Sequence, residues 1–317
     1  MTDRPNYMER TDLSILLPSY NNVCVELVAG LKCQADCLGD RLHRQFSYEI
    51  IVADDGSSDR SCTLANGAIN GMGHCRLVRM DHNVGRAQIR NVLVGESRGE
   101  HLLLIDSDLV VDNDDYLYNF VTANAVAVYG GTRIASVDEV SVDSRSRLGG
   151  NLRFRYEKNA ESHKTAAFRR ERPNQEISVC NFYARRDVMV AHPFDSRFRA
   201  YGYEDVLFGK RLAESGVAVS HIDNPLLINK FEENSVFVGK TEEAILTLCR
   251  FESDLRGYSN LLSSVEKIGR VFPLSLFQLW HRVMKRVERR NLVGDNPSLF
   301  VFKLYKLGFF LEHWKRQ

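Results

Sequence analysis

Residues 101–115 read HLLLIDSDLVVDNDD. Four apolar residues, Leu102 to Ile105, run straight into Asp106 and Asp108, and three further acids follow by Asp115. Such a run fits a buried strand that stops in a polar turn. The theme recurs upstream. LSILLPSY (13–20) is an apolar run closed by Pro18 and Tyr20, and YEIIVADDGSSD (48–59) stops at Asp54 and Asp55 in a turn of Gly and Ser. CRLVRMD (75–81) reads as a third strand, and NVGRAQIRNVLVGES (83–97) as the helix leading into the fourth, HLLLIDSD. Strands apolar on both faces, alternating with helices, imply an α/β fold whose parallel sheet is covered on two sides. Ligands of such sheets collect at the carboxyl ends of the strands. Pro18 to Asn21, Asp54 to Asp59 and Asp106 to Asp108 are therefore expected along one edge.

The totals suit a globular chain. It has 317 residues, 44% of them apolar, and 42 Lys and Arg balance 41 Asp and Glu. No general polyanion-binding signal is present, so nucleic acid is not an expected partner. Seven cysteines at irregular spacing form neither a disulfide framework nor a zinc site. Cys33 and Cys37 lie on the pattern of an ordinary amphipathic helix. The residues 1–12, MTDRPNYMERTD, lack an apolar signal core, and no segment reaches bilayer length, so a cytoplasmic location is expected.

Further along, residues 133–174 turn basic and irregular, as in RSRLGGNLRFRYEKN (145–159), which suggests a functional loop or insertion. ISVCNFYARRDVMVAH (177–192) resumes a strand and a short helix. FRAYGYEDVLFGKRLAESG (198–216) gives a turn and a helix stopping at Gly216, and VAVSHID (217–223) reads as a final strand. Composition then shifts to aromatic and basic helical patterns. A boundary near 231 divides a 1–230 ligand-binding and catalytic domain from a 231–317 helical region.

Asp106 and Asp108 are two apart, so an extended chain projects both to one side. Paired carboxylates in a cleft repel unless a cation sits nearby, and oxygen donors suit Mg²⁺ or Mn²⁺. A calcium loop is excluded because Leu109, Val110 and Val111 follow. Glu204 and Asp205 open the later helix. Acids there compensate the helix dipole, yet a carboxylate so placed can also take a proton from an attacking hydroxyl.

In this order LSILLPSYNN, IIVADDGSSD, NVGRAQIRN, LLLIDSD and FRAYGYEDVLFGKRL resemble the family 2 glycosyltransferases of GT-A fold, over roughly residues 12–230. The resemblance implies an inverting, metal-dependent transferase that moves a sugar from a UDP-sugar to a glycan or lipid-linked acceptor in polysaccharide biosynthesis. It places Pro18 and Tyr20 along the base, Asp55 on the uracil with Asp54 beside it, Asn21 among the donor-binding residues, and Arg86 or Arg90 near the base or diphosphate. Asp106 would lie near the ribose and metal, Ser107 would be a further donor-binding residue, and Asp108 would ligate the metal directly. Asp205 would be the catalytic base, Glu204 would orient acceptor hydroxyls, and Gly202 would pack against the sugar. Related sequences carry a His after a DNP segment. Here SHIDNPLLINKFEEN (220–234) puts Asn229 there, with His221 nearby as the other candidate ligand. Two readings compete: a non-catalytic nucleotide-sugar scaffold and a nucleotidyltransferase. The C-terminal segments FPLSLFQLWHRVMKRVERR (272–290) and FVFKLYKLGFFLEHW (300–314) are expected to cover the core; peripheral membrane contact and homodimerisation are the other readings.

Overall fold

A computed structural model describes residues 11–140 and 147–314. Nine strands are present among them: β1 (Thr11–Ser19), β2 (Tyr48–Asp54), β3 (Cys75–Arg79), β4 (Gly99–Ile105), β5 (Ala127–Tyr129), β6 (Thr132–Ile134), β7 (Asn181–Arg185), β8 (Ser220–His221) and β9 (Leu226–Ile228). Seven form one sheet in the order β3-β2-β1-β4-β7-β5-β8, and β6 pairs with β9. β3, β2, β1 and β4 run parallel, whereas β7 is antiparallel to both β4 and β5. The fold is thus α/β with a mostly parallel sheet.

Alternation along the strands assigns the two faces. Leu13, Ile15 and Leu17 of β1, with Ile50 and Val52 of β2, pack on the side that holds the Val25–Asp36 helix. Leu16, Ile51, Ala53, Leu102 and Leu104 point the other way, where the Arg86–Glu96 and Glu204–Glu214 helices lie. Each fully buried leucine contributes ~1.5–3 kcal/mol over an exposed one. Gly99 is required because a Cβ there would meet Ser14 N at 2.5 Å across the β1–β4 ladder.

The C-terminal helices Asn234–Arg250, Leu274–Val293 and Leu299–His313 follow the expected pattern. Val238, Leu248, Phe302 and Phe310 belong to the same apolar cluster as Leu16 and Leu104, so the core runs unbroken past residue 231.

Two expectations need correction. Residues 133–174 are packed: the Leu152–Asn159 and Ala166–Arg169 helices lie within them, and 141–146 fall outside the described residues. Asn174 donates to Val217 O at 2.8 Å, and Arg169 Nε donates to His221 Nδ1 at 3.1 Å. VAVSHID is not the last strand either. It yields only the two residues of β8, and β9 follows Pro225.

Candidate active site

The parallel register places Ser19 beside Asp54, and Leu16 beside Leu104, so the carboxyl ends of β1, β2 and β4 share one edge. Their loops are tied together. Asn21 N donates to Ser57 Oγ (2.8 Å), Asn21 Oδ1 accepts from Asp59 N (2.9 Å), and Asn22 Nδ2 donates to Ser107 O (2.7 Å). Asp54 Oδ1 accepts from Ser57 N at 2.9 Å, which closes the DGSSD turn. Asp55 accepts from Val84 N (2.7 Å) and Gly85 N (3.2 Å), pinning the start of the Arg86–Glu96 helix. Burial is the main cause of the upward shift of its pKa. Tyr20 projects into solvent at this edge, 49% exposed, with Pro18 half-buried behind it.

β7 begins opposite Ile105, and Cys180 O accepts from Asp106 N at 3.1 Å. Ser178 and Val179 thereby reach the same edge from the antiparallel side. Ser178 Oγ (2.7 Å) and Val179 N (3.1 Å) both donate to Asp205 Oδ2.

At the centre lies Arg90, fully buried. Its Nη2 donates to Asp106 Oδ1 and its Nη1 to Glu204 Oε1, each at 3.0 Å, and Nη1 is 3.8 Å from Asp205 Oδ1. Three acids on two distant segments thus share one cation. Burial raises the Asp106 pKa, but Arg90 and Arg86 outweigh it and hold the carboxyl below its ordinary value. Asp205 is pushed up to about 6, first by burial and then by the Glu204 charge. Its Oδ1 is buried and accepts no hydrogen bond among the described residues, although the side chain as a whole stays 21% exposed.

Asp106 and Asp108 do not face one way. The strand ends at Ile105 and the chain turns, with Leu109 N donating to Asp106 O at 3.3 Å. Asp106 turns inward to Arg90, while solvent reaches Asp108 in the cleft. Protein still surrounds Asp108 on most sides, and that loss of hydration, with the Asp106 charge, raises its pKa; Arg86 and Arg153 pull the other way. A bridge between Val110 and Leu227 ties this segment to Asn229, two residues from the bridge on each chain. Asn229 Oδ1 is buried and has no hydrogen-bond partner among the described residues.

Several residues sit elsewhere than expected. Arg90 is enclosed by carboxylates instead of facing the base or diphosphate; Arg86 is the exposed member of the pair, stacked 4.6 Å above the Tyr201 ring. Glu204 is buried against Arg90, so it does not orient an acceptor from the cleft. Gly202, at φ +97°, packs against Ala244 of the Asn234–Arg250 helix, not into the cleft. His221 is no ligand, since its Nδ1 accepts from Arg169 and its Nε2 lies 2.9 Å from Pro173 O. Among the described residues no three His, Cys, Asp or Glu side chains are placed to hold a metal ion together, and Cys33 and Cys37 are free and exposed.

Two residues escaped the sequence reading. Ser178 holds Asp205, and Arg153, ion-paired with Glu232, acts electrostatically on Asp108. Neither stands in a local motif. The basic run 145–159 was the one trace of Arg153.

The model of the family described as "Glycosyl transferase family 2" matches residues 14–190. A dolichyl-phosphate beta-glucosyltransferase from Dictyostelium discoideum is 28% identical over 165 residues, 49% of this chain and 50% of that protein. The chain spans about half the length of the curated relatives it matches first. Among solved structures, a mannosyltransferase from Pyrobaculum calidifontis in complex with GDP-Man and Mn²⁺ superposes with a TM-score of 0.53 at 13% identity, covering 96% of this chain and 86% of that one. The S. aureus TarS fragment 1–349 in complex with UDP superposes with a TM-score of 0.51 at 14% identity, covering 96% and 89%. These likenesses show the GT-A fold.

Proposed function

The chain belongs to glycosyl transferase family 2, and from that premise we propose that it moves a sugar from a UDP-sugar to a hydroxyl of a glycan or lipid-linked acceptor, in a single inverting displacement. One observation carries the reading: Asp205 is clamped through Oδ2 by Ser178 and Val179, while Oδ1, 3.8 Å from Arg90 Nη1, accepts no hydrogen bond among the described residues. A fixed, partly exposed carboxylate with one oxygen free of hydrogen bonds and a pKa of about 6 is a proton acceptor poised near neutrality. Taking the proton from the attacking hydroxyl on the face opposite the leaving diphosphate inverts the anomeric carbon.

Arg90 supports this role without touching substrate. By neutralising Asp106 and Glu204 it limits the rise in the Asp205 pKa. Tyr20 offers its exposed ring for stacking on the uracil, beside Asp54 and Asp55. Arg86, exposed above Tyr201, presents a guanidinium suited to the diphosphate oxygens.

The residues present fit a hard divalent ion, Mn²⁺ or Mg²⁺. The orphaned amide oxygen of Asn229 and the exposed Asp108 carboxylate are oxygen donors on two bridged segments, while Asp106, held on Arg90, acts on Asp108 through its charge. When bound, such an ion supplies neutralisation of the charge growing on the departing diphosphate.

Incubation with a panel of UDP-sugars and acceptors, followed by UDP release, tests the reading. Asp205→Asn is expected to lower transfer by about 10²- to 10⁴-fold, the usual worth of a general base, while UDP still raises thermal stability. Near-normal transfer by that variant refutes the assignment.

A further inference from the structure

The Leu274–Val293 helix is inverted relative to an ordinary surface helix. Its inner face buries His281 and Glu288, 2.7 Å apart, together with Leu292. Leu276, Leu279, Trp280, Val283 and Val287 look outward instead, each 39 to 73% exposed. Their spacing of three and four residues aligns them as one stripe along the helix, and the turn before it exposes Val271 and Phe272. Among the described residues nothing covers this stripe. A soluble surface helix of this length normally turns such residues inward.

Charge selects the occupant. The helix carries five Arg and Lys against one acid, Glu288, and that acid is buried, although the whole chain has a net charge of only +1. Lys285 is paired with Glu312 and Arg289 with Glu242; Arg282, Arg286 and Arg290 make no ion pair among the described residues. All three are exposed, and they lie along one flank and the end of the apolar stripe. A twofold pairing of two chains through the stripe would set the same cations against each other with no exposed acid on this helix to answer them. No helix among the described residues is long and apolar enough to cross a membrane. We infer that this face docks on the surface of an anionic phospholipid bilayer, its leucines and valines at the acyl boundary and its arginines among the headgroups. Trp280 is suited to that depth, since an indole has an apolar body and a polar N–H. The inference stands apart from the transfer reaction and needs none of its residues.

Flotation of the full chain with vesicles of phosphatidylcholine, alone or mixed with phosphatidylglycerol, tests it. Binding is expected to the mixed vesicles only, to fall with added salt, and to shift Trp280 emission to the blue, a shift absent in Trp280→Phe. Replacing Arg282, Arg286 and Arg290 by Gln is expected to weaken binding by roughly two orders of magnitude. Leu279→Ser with Val283→Ser is expected to abolish it. These side chains are exposed, and unchanged circular dichroism verifies that the variants fold. Absence of flotation, equal binding by all variants, or a dimer in sedimentation that Leu279→Ser with Val283→Ser dissociates, would each overturn the inference.

Discussion

Replacing Arg90 by Met removes the single cation that three carboxylates share. Its side chain is 2% exposed, and that of Glu204 is 5% exposed, with Nη1 and Oε1 3.0 Å apart. Removing one partner of a buried pair leaves the other charge uncompensated, which costs about 3–5 kcal/mol. With an unfolding entropy of about 2.1 cal/mol/K per residue, a chain of 317 residues loses roughly 4–8 °C in melting temperature. The charge left behind also acts on Asp205, whose pKa Arg90 now holds down. Without Arg90 it moves above about 6, so the base stays protonated further into the neutral range and activity shifts to higher pH. Scanning calorimetry and a pH–rate profile read the two effects. Arg90→Met with Glu204→Gln, which also neutralises the most deeply buried of the three carboxylates, should recover part of the lost stability, Asp106 and Asp205 still lacking their cation. An Arg90→Met variant as stable as the parent, with an unmoved pH midpoint, would refute the reasoning.

Further outcomes follow from the same geometry. Because the Asp205 pKa is raised, the carboxylate is protonated below about 6 and ionised above it, so kcat/KM should rise with pH through about 6; Ser178→Ala, which removes a hydrogen bond to the ionised form, should move that midpoint upward in a pH–rate titration. Asn229→Ala should weaken Mn²⁺ binding in the presence of UDP and Asn229→Asp should tighten it, read by isothermal titration, whereas equal affinities in both would remove Asn229 from the ligand set. Gly308→Ala places a methyl against the His281 ring between the last two helices and should cost about 1–3 kcal/mol by urea unfolding; no change there would mean the helices can part without strain.

The parallel half of the sheet was legible because β1, β2 and β4 are seven to nine residues long and apolar on both faces. That length gives periodicity something to act on. β5, β6, β8 and β9 have two or three residues each and leave no period to detect. The reversed direction of β7 was equally invisible, since an apolar run carries no sign of its orientation. At the site, spacing suggested that Asp106 and Asp108 share a side, but the turn after Ile105 and the pull of Arg90 separate them. Arg86 and Arg90 share a helix face by their spacing of four. Which of them is buried depends on Glu204, 114 residues away, and no local pattern encodes that.

The central claim is that Asp205 acts as the base in one direct displacement. The configuration at the anomeric carbon of the first-formed product, read by proton NMR during turnover of an α-linked UDP-sugar, tests it most directly. A β-linked product is predicted. An α-linked product, formed before any equilibration, would contradict the account.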